Sequence, residues 1–84
     1  MTQEQAGVLA AALQNEFGQQ VDVEPINDRG RYRFAVVSPA FRGMTHLQRQ
    51  DAVWRVADAT LPREVTLDIS LILAFAPEEL AAAG

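Results

Sequence analysis

Cysteine and lysine are both absent from this 84-residue chain, and each absence excludes a kind of chemistry. Without cysteine the chain cannot form disulfides, perform thiol catalysis, or hold zinc or an iron–sulfur cluster through thiolates of its own, and the lack fits a reducing compartment. Its one histidine, His46, has no cysteine, second histidine or carboxylate at ligand spacing. Metal motifs need several spaced donors, so His46 reads as an exposed residue at a helix entry. All 7 basic residues are arginines, set against 11 acidic ones for a formal net charge of −4. An acidic domain gains nothing from the counterion release that drives nonspecific nucleic-acid binding. No apolar run approaches the ~20 residues a membrane helix requires, and Met1-Thr2-Gln3-Glu4-Gln5 puts no basic region ahead of an apolar one. No Ser-His-Asp set, phosphate loop or isolated carboxylate pair is present. The expectation is one cytoplasmic, nonenzymatic domain over 1–84, away from membranes, with no cofactor or metal of its own and near the size at which a single core suffices.

What is present is periodicity. Val8, Leu9, Ala12, Leu13 and Phe17 recur at helical spacing between a Thr2 cap and a Gly18 stop, predicting a helix over Gln3–Phe17. Val21 and Val23 alternate with Asp22 and Glu24 before Pro25, and Asn27-Asp28-Arg29-Gly30 supplies turn chemistry into a second strand built on Tyr32, Phe34 and Val36. Ser38-Pro39 ends that strand, Gly43 allows a tight turn, and Thr45 with Gln48 spaces a capping box for a helix over about 46–59. That helix is expected to bury Leu47, Val53, Trp54 and Ala57, with Asp51 and Arg55 as an i,i+4 pair. Pro62 stops it. From Val65 onward apolar residues alternate as Val65, Leu67, Ile69, Leu71, Leu73 and Phe75, predicting a strand with its odd face in the core beside Leu13, Phe17, Phe34, Val36, Val53 and Trp54. A helix between the second and third strands makes them parallel. The fold class is therefore α+β, a three-stranded mixed sheet with helices on one face in the order α-β-β-α-β-α.

Two charged features compete for attention. Arg29, Arg31 and Arg33 alternate and, with Arg42, define a candidate nucleic-acid surface; a solvated face held by cross-strand ion pairs is the plainer account, with Asp68 as a partner for Arg31 or Arg33. Gly43-Met44-Thr45-His46 invites comparison with the Gly-x-x-Gly clamp of KH domains, but His replaces the second glycine and only Arg42 is basic there.

The block Val37-Ser38, Phe41-Arg42-Gly43, Thr45 and Arg49-Gln50, followed by Pro77-Glu78-Glu79-Leu80, resembles the BolA family over roughly Val21 to Leu80. That resemblance implies the same α+β arrangement, itself similar to the class II KH architecture. It also implies a protein partner, a monothiol glutaredoxin or an iron–sulfur assembly factor, with which family members share a [2Fe–2S] cluster. The family's histidine ligand falls at Asp68, a hard oxygen donor, and its second ligand, a His or Cys between the first two strands, has no counterpart in Ile26-Asn27-Asp28-Arg29-Gly30. The resemblance thus implies docking without cluster ligation, through Arg42, Gly43, His46, Asp68 and Glu79. The other reading is a KH-like nucleic-acid-binding or transcription-regulatory module using Arg29, Arg31, Arg33 and Arg42.

Overall fold

The computed structural model describes residues 1–18, 20–27 and 29–83, so Asp28 of the predicted turn lies outside the described residues. Helix α1 covers Gln3–Phe17, strands β1 and β2 cover Gln20–Pro25 and Tyr32–Val37, and a 3-10 turn covers Pro39–Phe41. Helix α2 follows at His46–Thr60, then a one-turn helix α3 at Arg63–Thr66, strand β3 at Ile69–Phe75 and helix α4 at Pro77–Ala83. Both long helices begin in capping boxes. Thr2 Oγ1 accepts the Gln5 amide while the Thr2 amide donates to Gln5 Oε1, and Thr45 with Gln48 repeats the arrangement, satisfying donors that a helix start otherwise leaves unpaired. Gly18 ends α1 at φ 74°, a conformation that Cβ disfavours.

The sheet order is β1-β2-β3, with β1 antiparallel and β3 parallel to β2. One face is the core: Ala6, Leu9 and Leu13 of α1, Phe34 and Val36 of β2, Phe41, and Val53 and Ala57 of α2 are buried together with Ile69, Ile72 and Ala74 of β3. The third strand departs from the expected pattern in two ways. Val65 and Leu67 are not strand residues, because Pro62 followed by Arg63-Glu64 starts α3, whose first turn carries Glu64; Leu67 is left exposed. Within β3, Tyr32 is opposite Ile69 but Arg33 is opposite Leu71, so Ser70 is an extra residue on that strand. The bulge exchanges the faces: Ile69, Ile72 and Ala74 point inward, while Leu71 is exposed and Leu73 and Phe75 stand on the outer face beside Ala35 and Val37. The odd-face core is therefore corrected to an even-face one beyond Ser70.

Helix α2 also differs at its start. Leu47 is 78% exposed, because it lies six positions before Val53, about 120° around the helix from the buried stripe. Trp54 and Phe17 pack on the core from its margin rather than within it.

Candidate functional site

The link from β2 to α2 is built on two buried residues. Ser38 is fully buried; its hydroxyl donates to the Phe17 carbonyl at 2.6 Å and accepts from the Ala40 amide at 3.1 Å, tying the end of α1 to the 3-10 turn. Phe41 is also fully buried, its ring 4.9 Å from that of Phe17 and tilted by 40°. Gly43, at φ 75°, then reverses the chain into the Thr45 cap. With Phe41 anchored inward, Arg42, Gly43 and His46 are exposed around the turn.

Helix α4 is fastened to this end by ion pairs. Arg42 Nε lies 2.9 and 3.0 Å from the two Glu78 carboxylate oxygens, and Arg49 grips Glu79 in two parallel contacts of 2.6 and 2.8 Å. Arg49 further donates to the Met44 carbonyl at 3.1 Å, so one side chain joins the Gly43 turn to α4. Its hydrogen bond to Glu79 raises the Arg49 pKa, as Glu78 raises that of Arg42. Glu79 is held at about 2, first by Arg49 and then by the Ala76 amide, which donates to Glu79 Oε1 at 2.8 Å. Because this folded value lies below the ordinary 4.5, the stability that ionised Glu79 contributes is complete above 4.5 and is lost as pH falls through about 2. The expected outcome is a Glu79 carboxyl resonance titrating near 2, with the Ala76 amide shifting alongside it. Arg49→Met should raise the titration toward the ordinary carboxylate range, with the Ala76 amide still holding it below; a Glu79 midpoint unchanged by that substitution would remove Arg49 as its main cause.

The predicted contact residues do not all meet. Arg42 and Gly43 follow the end of β2, His46 opens α2 and Glu79 follows the end of β3, which places them at one end of the sheet. Asp68 precedes β3 at the opposite end, where its carbonyl accepts the Tyr32 amide at 3.0 Å. Seven strand residues separate Asp68 from the other end, so the expected grouping of Asp68 with Arg42, Gly43, His46 and Glu79 in one surface is corrected. The carboxylate of Asp68 pairs with the Met1 ammonium, not with Arg31 or Arg33. Arg33 pairs instead with Glu24, directly opposite it on β1. Arg29 and Arg31 precede β2, so the expected row of three arginines along one strand reduces to Arg33.

Asp68, which the resemblance matches to one cluster ligand, is linked through Met1 to the loop in which the second has no counterpart. Gly30, in the loop between β1 and β2, packs so closely on Met1 that a Cβ would come within 2.9 Å of the Met1 carbonyl oxygen, and Met1 in turn holds Asp68. The donors there do not fit a [2Fe–2S] cluster: Asp68 offers only oxygen, and the Ile26–Gly30 loop contains neither His nor Cys. Among the described residues, no group of three or more His, Cys, Asp or Glu side chains is placed to hold a metal. Among the described residues, no helix is long and apolar enough to cross a membrane.

Sequence reasoning missed Arg49 and Gln50 as structural groups. Gln50 Nε2 donates to the Ile72 carbonyl at 2.8 Å and Arg49 Nη1 to the Ala74 carbonyl at 3.3 Å, bridging α2 to the outer edge of β3. Their place in a motif was visible, but their targets are backbone atoms 22 and 25 residues away. The exposed Leu47, next to His46, was also missed because helical periodicity assigned it to the core.

No protein-family model matches the chain, and no curated protein matches it in sequence. Solved structures do match. BolA1 from Arabidopsis thaliana aligns with a TM-score of 0.70 and 20% identity over 93% of this chain and 98% of its own. The BolA domain of SufE1 from the same plant aligns with a TM-score of 0.74 and 18% identity over 94% and 99%. A BolA protein homologue from Coxiella burnetii aligns with a TM-score of 0.60 and 18% identity over 96% of each chain. With helix, hairpin, helix, parallel strand and closing helix in the same order across nearly the whole length, the fold of this chain is the BolA fold.

Proposed function

We propose that this chain is a nonenzymatic protein-interaction domain that docks a monothiol glutaredoxin, or a related iron–sulfur assembly or regulatory factor, without ligating a cluster. The observation that carries the reading is the BolA fold across more than nine-tenths of the chain, in the sequence that also holds the Phe41-Arg42-Gly43 turn. One of the similar structures is a domain of SufE1, which supports a module that acts joined to or against another protein. The contact surface assigned here is the end formed by Arg42, Gly43, His46 and Glu79, with the exposed Leu47 as its apolar element; Asp68 is set apart from it by the length of β3. Exposed apolar side chains rimmed by charge suit a transient interface.

The nucleic-acid reading is weaker on the same observations. Of its four arginines, Arg33 is neutralised by Glu24 and Arg42 by Glu78, which leaves little free positive charge in a domain of net charge −4.

Backbone amide shifts on titration with an iron-free monothiol glutaredoxin test the proposal. The expected result is perturbation around Gly43, His46 and Leu47, with weak binding that Arg42→Glu lowers by about three- to tenfold, since a reversed rim charge opposes encounter. Arg55→Glu, on a side chain 77% exposed on the outer side of α2, should leave it unchanged. Shifts confined to Arg29, Arg31 and Arg33 on adding an oligonucleotide, steeply salt-dependent and with no response to glutaredoxin, would install the nucleic-acid reading instead.

A further inference from the structure

The two open edges of the sheet are treated differently. On β3, the carbonyls of Ile72 and Ala74 face away from β2 and each receives a side-chain donor from α2, Gln50 and Arg49. A strand approaching that edge would have to displace both. On β1 the Ile26 amide donates to the Arg31 carbonyl at 2.9 Å, and the antiparallel register runs unbroken from Pro25–Tyr32 to Gln20–Val37. Alternation then directs the backbone groups of Gln20, Asp22 and Glu24 toward β2, and those of Val21 and Val23 to the free side. Among the described residues nothing hydrogen-bonds to Val21 or Val23 on that side. Beside the same edge lies a groove of ≈ 450 Å³ lined by Gln3, Ala6, Gly7, Val23, Pro25 and Tyr32. Its depth comes from small residues on α1: a methyl group on Gly7 would meet no atom within 4 Å.

We propose that the free edge of β1 accepts an extended segment of a partner protein as a fourth strand, one in which basic and apolar residues alternate. Strand addition uses main-chain hydrogen bonds for affinity and pockets for alternate side chains for selectivity. A partner residue beside Val23 shares its face and enters the groove, so it is apolar. Its neighbours share the face of Asp22 and Glu24, both exposed carboxylates; Glu24 already holds Arg33, whereas Asp22 meets only the neutral Gln20 amide, so the charge left over on that face is negative and the neighbours are basic. The same carboxylates argue against a second copy of this chain: antiparallel pairing of β1 with β1 about Val23 would set Asp22 of each copy opposite Glu24 of the other, and like charges directly opposite are destabilising. This goes beyond the docking surface at Gly43, since the groove lies at the Tyr32 end of the sheet, and either can fail without the other.

The probe is a capped peptide, Ser-Arg-Val-Arg-Val-Arg-Ser, titrated into the isotopically labelled chain. The expected result is shifts over Val21–Pro25, Gly7 and Tyr32, slowed hydrogen exchange at the Val21 and Val23 amides, and binding at least about tenfold weaker when Glu replaces Arg in the peptide. Val23→Pro removes one edge donor without touching a bond to β2 and should abolish the effect. If that variant does not fold, Gly7→Leu decides, because leucine favours the helix while filling the groove; it should weaken binding about tenfold by excluding the apolar anchor. The proposal is overturned if the peptide leaves Val21–Pro25 unperturbed, if the Glu peptide binds equally, or if Gly7→Leu has no effect. A concentration-dependent doubling of mass that Val23→Pro removes would equally overturn it, in favour of self-pairing.

Discussion

Phe41→Ala is expected to lower stability by about 3–5 kcal/mol, the usual result of emptying a fully buried aromatic site. Phe41 has no exposed surface, stacks on Phe17, and sits two residues before the glycine that reverses the chain. For 84 residues at the ordinary stability per residue the whole domain has roughly 4–13 kcal/mol, so this one change removes a large share of it. Urea denaturation followed by circular dichroism measures the loss, and Phe41→Leu, which keeps most of the apolar contact, should cost less than about 1.5 kcal/mol. The expectation separates two uses of the Phe-x-Gly block. If Phe41 anchors the turn, its truncation lowers stability and partner binding together, whereas Arg42→Glu lowers binding and, by losing only an exposed pair with Glu78, shifts the denaturation midpoint far less. A Phe41→Ala protein of undiminished stability would mean that the ring is a contact residue and not the anchor of the surface that Arg42, Gly43 and His46 present.

Local signals in the sequence carried α1, α2 and the hairpin, because their causes are local, whereas the one-turn α3 reads as the start of the third strand. The Thr2–Gln5 and Thr45–Gln48 capping boxes and the left-handed Gly18 and Gly43 were all written within four residues of where they act. The ion pairs were legible only where spacing is fixed by an element, as for Asp51 and Arg55 on successive turns. Asp68 was assigned to Arg31 or Arg33 on the premise that it lay inside the strand; with α3 intervening it lies before β3, and its carboxylate is taken by Met1, 67 positions away in sequence. Arg49 shows the same limit from the other side. It was recognisable in a motif, yet its grip on Glu79 depends on β3 returning the chain beside α2, which no local pattern encodes.

The bulge at Ser70 is the sharpest case. From Val65 to Phe75 the apolar residues fall on odd positions almost without a break, and because Ile72 and Ala74 are apolar too, the strand is apolar on both faces after Ser70. Such a strand does not specify its own register, and a single extra residue exchanges every side chain between faces. Ile72 is buried without exposed surface, whereas Leu71, which the uninterrupted pattern places inside, is 38% exposed. Ile72→Ala should therefore cost about 2–5 kcal/mol by lost transfer energy and a cavity, while Leu71→Ala should cost less than about 1 kcal/mol, as for a surface position. The pair is informative because both replacements remove a similar volume from adjacent residues of one strand, so strand propensity nearly cancels between them. Denaturant midpoints for the two variants at equal slope give the difference directly. If Leu71→Ala proved the costlier of the two, the strand would run without its bulge; the Gln50 and Arg49 donors would then no longer meet the carbonyls of Ile72 and Ala74 at the outer edge, and β3 would become as open to an added strand as β1.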